Sequence, residues 1–192
     1  MANIRHLIEE NIIGSDVLHL AGELGAKYKQ EVYAVGGYVR DLFLGINIKE
    51  IDFMVVGNGI KFARSLADEL KVANIVPFQR FSTARIPYKK IPLEVASART
   101  ESYDDSSRKP DKIQYTDLKG DLLRRDFTIN AMAVDLHPKR FGNLSDPFNG
   151  ILDLQEKHLV TPLDPDKTFS DDPLRMMRAA YFSAKLDMRV DS

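Results

Sequence analysis

Cysteine is absent from the whole 192-residue chain, which excludes a disulfide framework and any thiolate metal site. Only four histidines occur, His6, His19, His137 and His158, scattered without zinc-like spacing. No apolar run approaches the length of a membrane span, and the opening "MANIRHLIEENI" reads as an amphipathic helix carrying both charges, not a signal peptide. Charge of one sign is also lacking: the formal net charge is −1. That excludes an overall basic field, so nucleic acid would be held by a local patch or by segments outside this chain. There is no internal repeat. The expectation is a cytoplasmic protein without membrane association.

What is there is ordinary globular composition, 44% hydrophobic and 29% charged, in a length that suits one domain plus the start of another. Ile4, Leu7, Ile8 and Ile12 recur at helical spacing, and Val17, Leu18, Leu20, Ala21 and Leu24 predict a second helix with Ser15 as N-cap. "EVYAV" reads as a strand that meets Gly36-Gly37 and gives way to a short helix, "YVRDLFLG". "IDFMVV" reads as a buried strand, "IKFARSLADEL" as an amphipathic helix, and "ANIVPF", "TARIPY" and "PLEVASA" as three further strands. Residues 101–120 show little apolar periodicity and are expected to form a mobile loop. "DLLRRDFTINAMAVDL" looks helical and then extended, "FGNLSDPFNGILDLQEK" reads as strand, turn and helix, and "DDPLRMMRAAYFSAKL" as a helix with Pro173 in its first turn. The mixture predicts an α/β (α+β) domain with a mixed sheet flanked by helices, then a helical start of something else.

Two features carry chemistry. A glycine turn between strand and helix lets backbone N–H groups approach phosphate oxygens, and Arg40 can add a forked cationic contact. The same glycines also suit a plain tight turn. In "KEIDF", Glu50 and Asp52 alternate with apolar residues, so on a strand they share one face. Two like charges side by side repel unless a cation sits between them, and Mg²⁺ prefers such oxygen ligands. A solvated strand face is the plain alternative. Glu94, in the charge-poor "PLEVASART", offers a third carboxylate, or else a partner for Arg85 or Arg99.

Gly36-Gly37, twelve residues, then acid-apolar-acid-apolar resembles the signature of the polymerase-β nucleotidyltransferase superfamily. "GGYVRDLFLG", "LEVASARTESY", "RRDFTINAMA" and "DDPLRMMRA" are similar to motifs of one branch, the class II tRNA nucleotidyltransferases (CCA-adding enzymes) and bacterial poly(A) polymerases. The resemblance implies a head domain over residues 31–160, N-terminal helices over 1–30 packing on it, and the start of a helical neck over 161–192. It implies template-independent addition of CMP and AMP from CTP and ATP to the 3′ end of tRNA by a two-magnesium mechanism. Residue by residue, Gly36, Gly37 and Arg40 would hold the triphosphate. Glu50 and Asp52 would bind the metal ions, with Glu94 assisting the attacking hydroxyl. Arg124 and Arg125 would face phosphate, and Asp126 and Asn130, i and i+4 on a helix, would read the ribose. Asp172, Arg175 and Arg178 would share a helical face linking head to neck beside the nucleotide.

Two positions depart from the family: aspartate is usual where Glu50 stands, and many relatives have arginine where Tyr181 stands. The motif that chooses between CTP and ATP does not follow residue 178, so a head fragment of a longer enzyme is expected, with tRNA gripped mainly elsewhere. A poly(A) polymerase or a CC- or A-only adding enzyme shares these motifs. A non-catalytic nucleotide or RNA binder is the alternative of another class.

Overall fold

The computed structural model describes residues 2–11, 14–104 and 107–190, with the backbone alone over 101–113. The chain divides into two compact units, residues 1–98 with 133–145, and residues 99–132 with 146–192. Among the described residues no helix is long and apolar enough to cross a membrane.

The first unit is built on a seven-stranded mixed sheet. After α1 (Arg5–Glu10) and α2 (Ser15–Tyr28) come β1 (Val32–Val35), α3 (Gly37–Leu44), β2 (Ile51–Val55) and α4 (Gly59–Glu69). Then follow β3 (Val76–Phe78), β4 (Thr83–Ile86) and β5 (Leu93–Ser97). In this unit the chain returns as β8 (Ala133–Asp135) and β9 (Leu144–Ser145), giving the order β3-β4-β5-β2-β1-β8-β9. Every pairing is antiparallel except β2 with β5.

One face of the sheet carries Ile51, Phe53, Val55, Leu93, Val95, Ala84 and Ile86, all buried. Helix α4 closes it, its first N–H donating to Ser97 Oγ at 2.9 Å, with Asn58 as N-cap accepting from Lys61 N–H at 2.9 Å. Helix α2 presses on the end of β8 so closely that a Cβ at Gly22 would fall 1.8 Å from the Leu136 carbonyl oxygen. Only glycine allows that approach. Ser15 is the first helical residue and not the cap: Gly14, at φ +95°, precedes it without a side-chain bond. Ile12 lies outside the described residues.

The second unit begins with β6 (Arg99–Asp104) and β7 (Ser107–Tyr115), an antiparallel ribbon with an irregularity between Ser102 and Asp104. The loop expected over 101–120 is therefore a β-ribbon leading into α5 (Leu118–Leu123), capped by Asp117. The ribbon is held by backbone pairing, and "ESYDDSSRKPDK" is polar in both strand phases. Alternation therefore gave no signal there. A 3-10 turn over Thr128–Asn130 is followed by α6 (Gly150–Glu156), whose first N–H groups bond Asp146 at 2.7 and 3.0 Å. Next come β10 (His158–Leu159), α7 (Pro165–Asp171), α8 (Leu174–Leu186) and β11 (Arg189–Val190), which pairs with β10. Phe127 meets Phe182 edge to face, with centroids 5.9 Å apart. Sequence periodicity missed α7, although Asp164 caps it and Pro165 opens it.

Candidate nucleotidyl-transfer site

The residues singled out in the sequence fall into two sets, one in each unit. In the first, β1 gives way to Gly36, whose φ of +68° and ψ of −134° a side chain would strain. Gly37 then starts α3, and a Cβ there would lie 3.4 Å from an Arg40 guanidinium nitrogen. Arg40 is buried and forks onto Asp41, with Nε 2.8 Å and Nη2 2.7 Å from Oδ1. The guanidinium is thus pinned beside the glycine corner. Tyr38, next in line, is buried with a hydroxyl that finds no partner among the described residues, and burial pushes its pKa up.

The central feature is the parallel pairing of β2 with β5, which puts Asp52 opposite Glu94. Residues paired in register share a face and sit one strand spacing apart, about 4.8 Å. Both carboxylates therefore stand on the face away from α4, between buried Ile51 and Phe53 on one strand and Leu93 and Val95 on the other. Asp52 is half-buried and Glu94 exposed.

Glu50 behaves differently from expectation. The strand begins at Ile51, so the shared-face rule does not carry back to Glu50, which is exposed. The cause is Pro92. Its carbonyl accepts from Ile51 N–H at 3.2 Å, but it has no N–H for the next rung upstream. Among the described residues, no group of three His, Cys, Asp or Glu side chains could hold a metal ion, so Glu50 does not complete a triad. The pair Asp52 and Glu94 fits magnesium nonetheless. That ion takes hard oxygen donors and is usually bound by one or two carboxylates, with phosphate and water filling the remaining positions.

In the second unit the polar set is organised by a residue the sequence reading passed over, Asp121. Its fully buried carboxylate accepts from Arg124 Nη2 at 2.7 Å through one oxygen and Arg125 Nη2 at 2.9 Å through the other. Burial alone would raise its pKa, but the guanidinium groups of Arg125 and Arg124 outweigh that and hold it below the usual value. The spacing i, i+3 and i, i+4 was a usable signal for this anchor. Arg124 also donates to the Arg99 carbonyl at 2.7 Å, and Arg125 to the Asn130 carbonyl at 3.3 Å.

Asp126 and Asn130 do meet, Nδ2 donating to Oδ1 at 3.1 Å, but not on an α-helix. Asp126 lies in a bend and Asn130 closes the 3-10 turn. Arg178 Nε reaches the other oxygen of Asp126 at 2.6 Å. Arg175 is buried and donates to the Arg124 carbonyl at 2.9 Å. Asp172 does not join them on a helical face. It ends α7, and its carboxylate accepts from Leu174 N–H at 3.1 Å. Tyr181 is exposed.

Residues 32–160 match the family described as the poly A polymerase head domain. The chain belongs to that family. A relative named A-adding tRNA nucleotidyltransferase, from Aquifex aeolicus, is 42% identical over 82% of this chain and 19% of its own length. A solved CCA-adding enzyme in an apo form superposes with a TM-score of 0.88 at 36% identity, over 100% of this chain and 45% of that one. The Thermotoga maritima CCA-adding enzyme complexed with tRNA gives 0.83 at 36% identity, over 100% and 43%. The chain thus spans less than half the length of these head-domain proteins. The fold expected from the sequence, a mixed sheet with flanking helices of the CCA-adding head type, is the one observed.

Proposed function

We propose that this chain is the catalytic head of a template-independent nucleotidyltransferase that adds CMP and AMP from CTP and ATP to the 3′ end of tRNA, in the cytoplasm. The observation that carries the reading is the register of Asp52 with Glu94 on one open sheet face. Membership of the head-domain family supports it. The head is read as residues 31–160, with 1–30 packed on it and 161–192 opening a helical neck.

In the reaction the 3′-hydroxyl oxygen of the RNA attacks the α-phosphorus of the nucleotide. The new O–P bond forms as the bond to pyrophosphate breaks, and the hydroxyl proton leaves to a base. Asp52 and Glu94, with Glu50 nearby in sequence, are the residues that would hold magnesium. When bound, magnesium supplies positive charge to the phosphoryl oxygens and lowers the pKa of the attacking hydroxyl. Glu94, the exposed member, is placed to take or orient the hydroxyl proton. The corner at Gly36-Gly37, with no side chains and with Arg40 pinned beside it, is suited to the triphosphate. Arg124 and Arg125 are cations pre-oriented by Asp121, so they would meet a phosphate without first being ordered. Asp126 keeps roughly one of its about four acceptor directions open after three bonds, enough for a ribose hydroxyl.

The test is extension of a tRNA transcript lacking its last nucleotides by this chain with magnesium and CTP or ATP. Growth of the transcript that Asp52→Ala abolishes supports the reading. Magnesium-dependent nucleotide binding without extension, unchanged by Glu50→Asp, would point to the non-catalytic binder instead.

A further inference from the structure

Across four strands the register sets Asp52, Glu94, Arg85 and Val76 in one row on the open face. Phe78, two residues beyond Val76, belongs to the same face. Arg85 stands directly across from Glu94, where an opposite charge ordinarily pairs. Yet its side chain is exposed and, among the described residues, makes no hydrogen bond or ion pair. Strand β3 is the edge of the sheet, and Val76 and Phe78 are 51% and 45% exposed. The turn after it carries Arg80, also exposed, with its guanidinium 6.0 Å from the Phe81 ring centroid. Apolar side chains scattered singly on a surface need no explanation. Two on one edge strand, set between exposed arginines and leading to the acid pair, do.

We infer that the β3–β4 edge holds the single-stranded 3′ end of the RNA, with Arg85 on a backbone phosphate and Phe78 stacked on a base. This rests on the proposed function, because it takes the nucleophile at Asp52 and Glu94 to be an RNA hydroxyl. That hydroxyl belongs to a nucleotide whose own 5′ phosphate is repelled by two carboxylates. A cation one strand outward offsets the repulsion and leaves the acid pair to the reacting atoms. An exposed aromatic face beyond it accepts any base, since stacking is indifferent to sequence. The chain's near-zero net charge makes a local cation beside an aromatic the form an RNA contact has to take here.

The experiment titrates the 192-residue chain against a short 5′-labelled single-stranded RNA by fluorescence anisotropy at several salt concentrations. A fluorescent ATP analogue with magnesium is titrated in parallel. Arg85→Ala is expected to reduce the slope of log affinity against log salt by about 0.7, the value for one single-strand phosphate contact. Arg85→Lys should restore that slope. Phe78→Ala should weaken RNA binding by about fivefold or more, the low end for one stacked base, with the slope unchanged. Nucleotide binding should stay at the parent value in all three, and far-ultraviolet circular dichroism should confirm an intact fold. If the parent chain binds nucleotide but not RNA, or if the variants bind RNA as the parent does, the edge inference falls and the proposed function stands. If the parent binds neither, both fall.

Discussion

Asp126 Oδ2 accepts a hydrogen bond from Arg178 Nε at 2.6 Å, across 52 residues of chain. The other oxygen of Asp126 accepts from Phe127 N–H at 2.8 Å and from Asn130 Nδ2 at 3.1 Å. The carboxylate is therefore held at both ends, while the arginine side chain is about half exposed, at 53%. Because the arginine is half exposed and the buried Asp126 keeps its Phe127 and Asn130 donors, losing the pair costs only about 1 kcal/mol of stability. Arg178→Ala is expected to lower the melting temperature slightly. Nucleotide affinity should fall by roughly tenfold, the loss of one charged hydrogen bond's worth of orientation. A thermal melt beside a CTP titration reads both. A large drop in melting temperature with unchanged affinity would make the contact purely structural.

Asp52→Ala should abolish magnesium-dependent nucleotide binding with the fold intact, since Asp52 lies half-buried on the open face. Extension should fall by about a thousandfold, the upper range for removing one charge-stabilising group. Adding Glu94→Gln should cost much less than a second such factor, because residues that act as one unit are not additive. Single-turnover extension rates of the two single variants and the double variant decide it.

Glu50→Ala is expected to be far milder than Asp52→Ala, about tenfold or less in rate, since Glu50 lies off the ladder and forms no triad. Glu50→Asp should change the rate by a smaller factor still. Equal losses at residues 50 and 52 would show that the two carboxylates close together on the same ion.

Asp121→Asn should destabilise the fold by roughly 3 kcal/mol at neutral pH, because two arginines lose a buried counter-charge. The folded-state pKa of Asp121 lies below its ordinary value of 3.8. Its contribution is therefore complete above that value and is lost as pH falls through the depressed one. Urea midpoints of parent and variant should differ most near neutrality and converge in strong acid. A constant gap across the range would mean that the carboxylate charge is not what stabilises.

Much of the first unit was legible because its central strands are short apolar runs, β1 and β2 almost wholly buried, and its turns are marked by glycine. "EVYAV", "IDFMVV" and "PLEVASA" each became strands, and Gly36-Gly37 became a strand-to-helix corner. The pairing of Asp52 with Glu94 was not legible from spacing, since register between distant strands has no local signature. Glu50 was misplaced on its strand for the same reason: Pro92, which ends the ladder, lies far along the chain. In the second unit a helix was assumed through "RRDFTIN", where the chain bends and tightens into a 3-10 turn. The arginines there stand out through the family resemblance of "RRDFTINAMA". Asp121, which orients them, was overlooked because burial decides its role.

The parallel contact between β2 and β5 also says when the site can come into being. Parallel neighbours cannot be joined by a tight turn, and here α4, β3 and β4 all intervene. Setting Asp52 beside Glu94 therefore means closing a long excursion of chain, a non-local contact of the kind that is entropically slow to form. Until that excursion closes, the chain carries both acids without the register that sets them side by side.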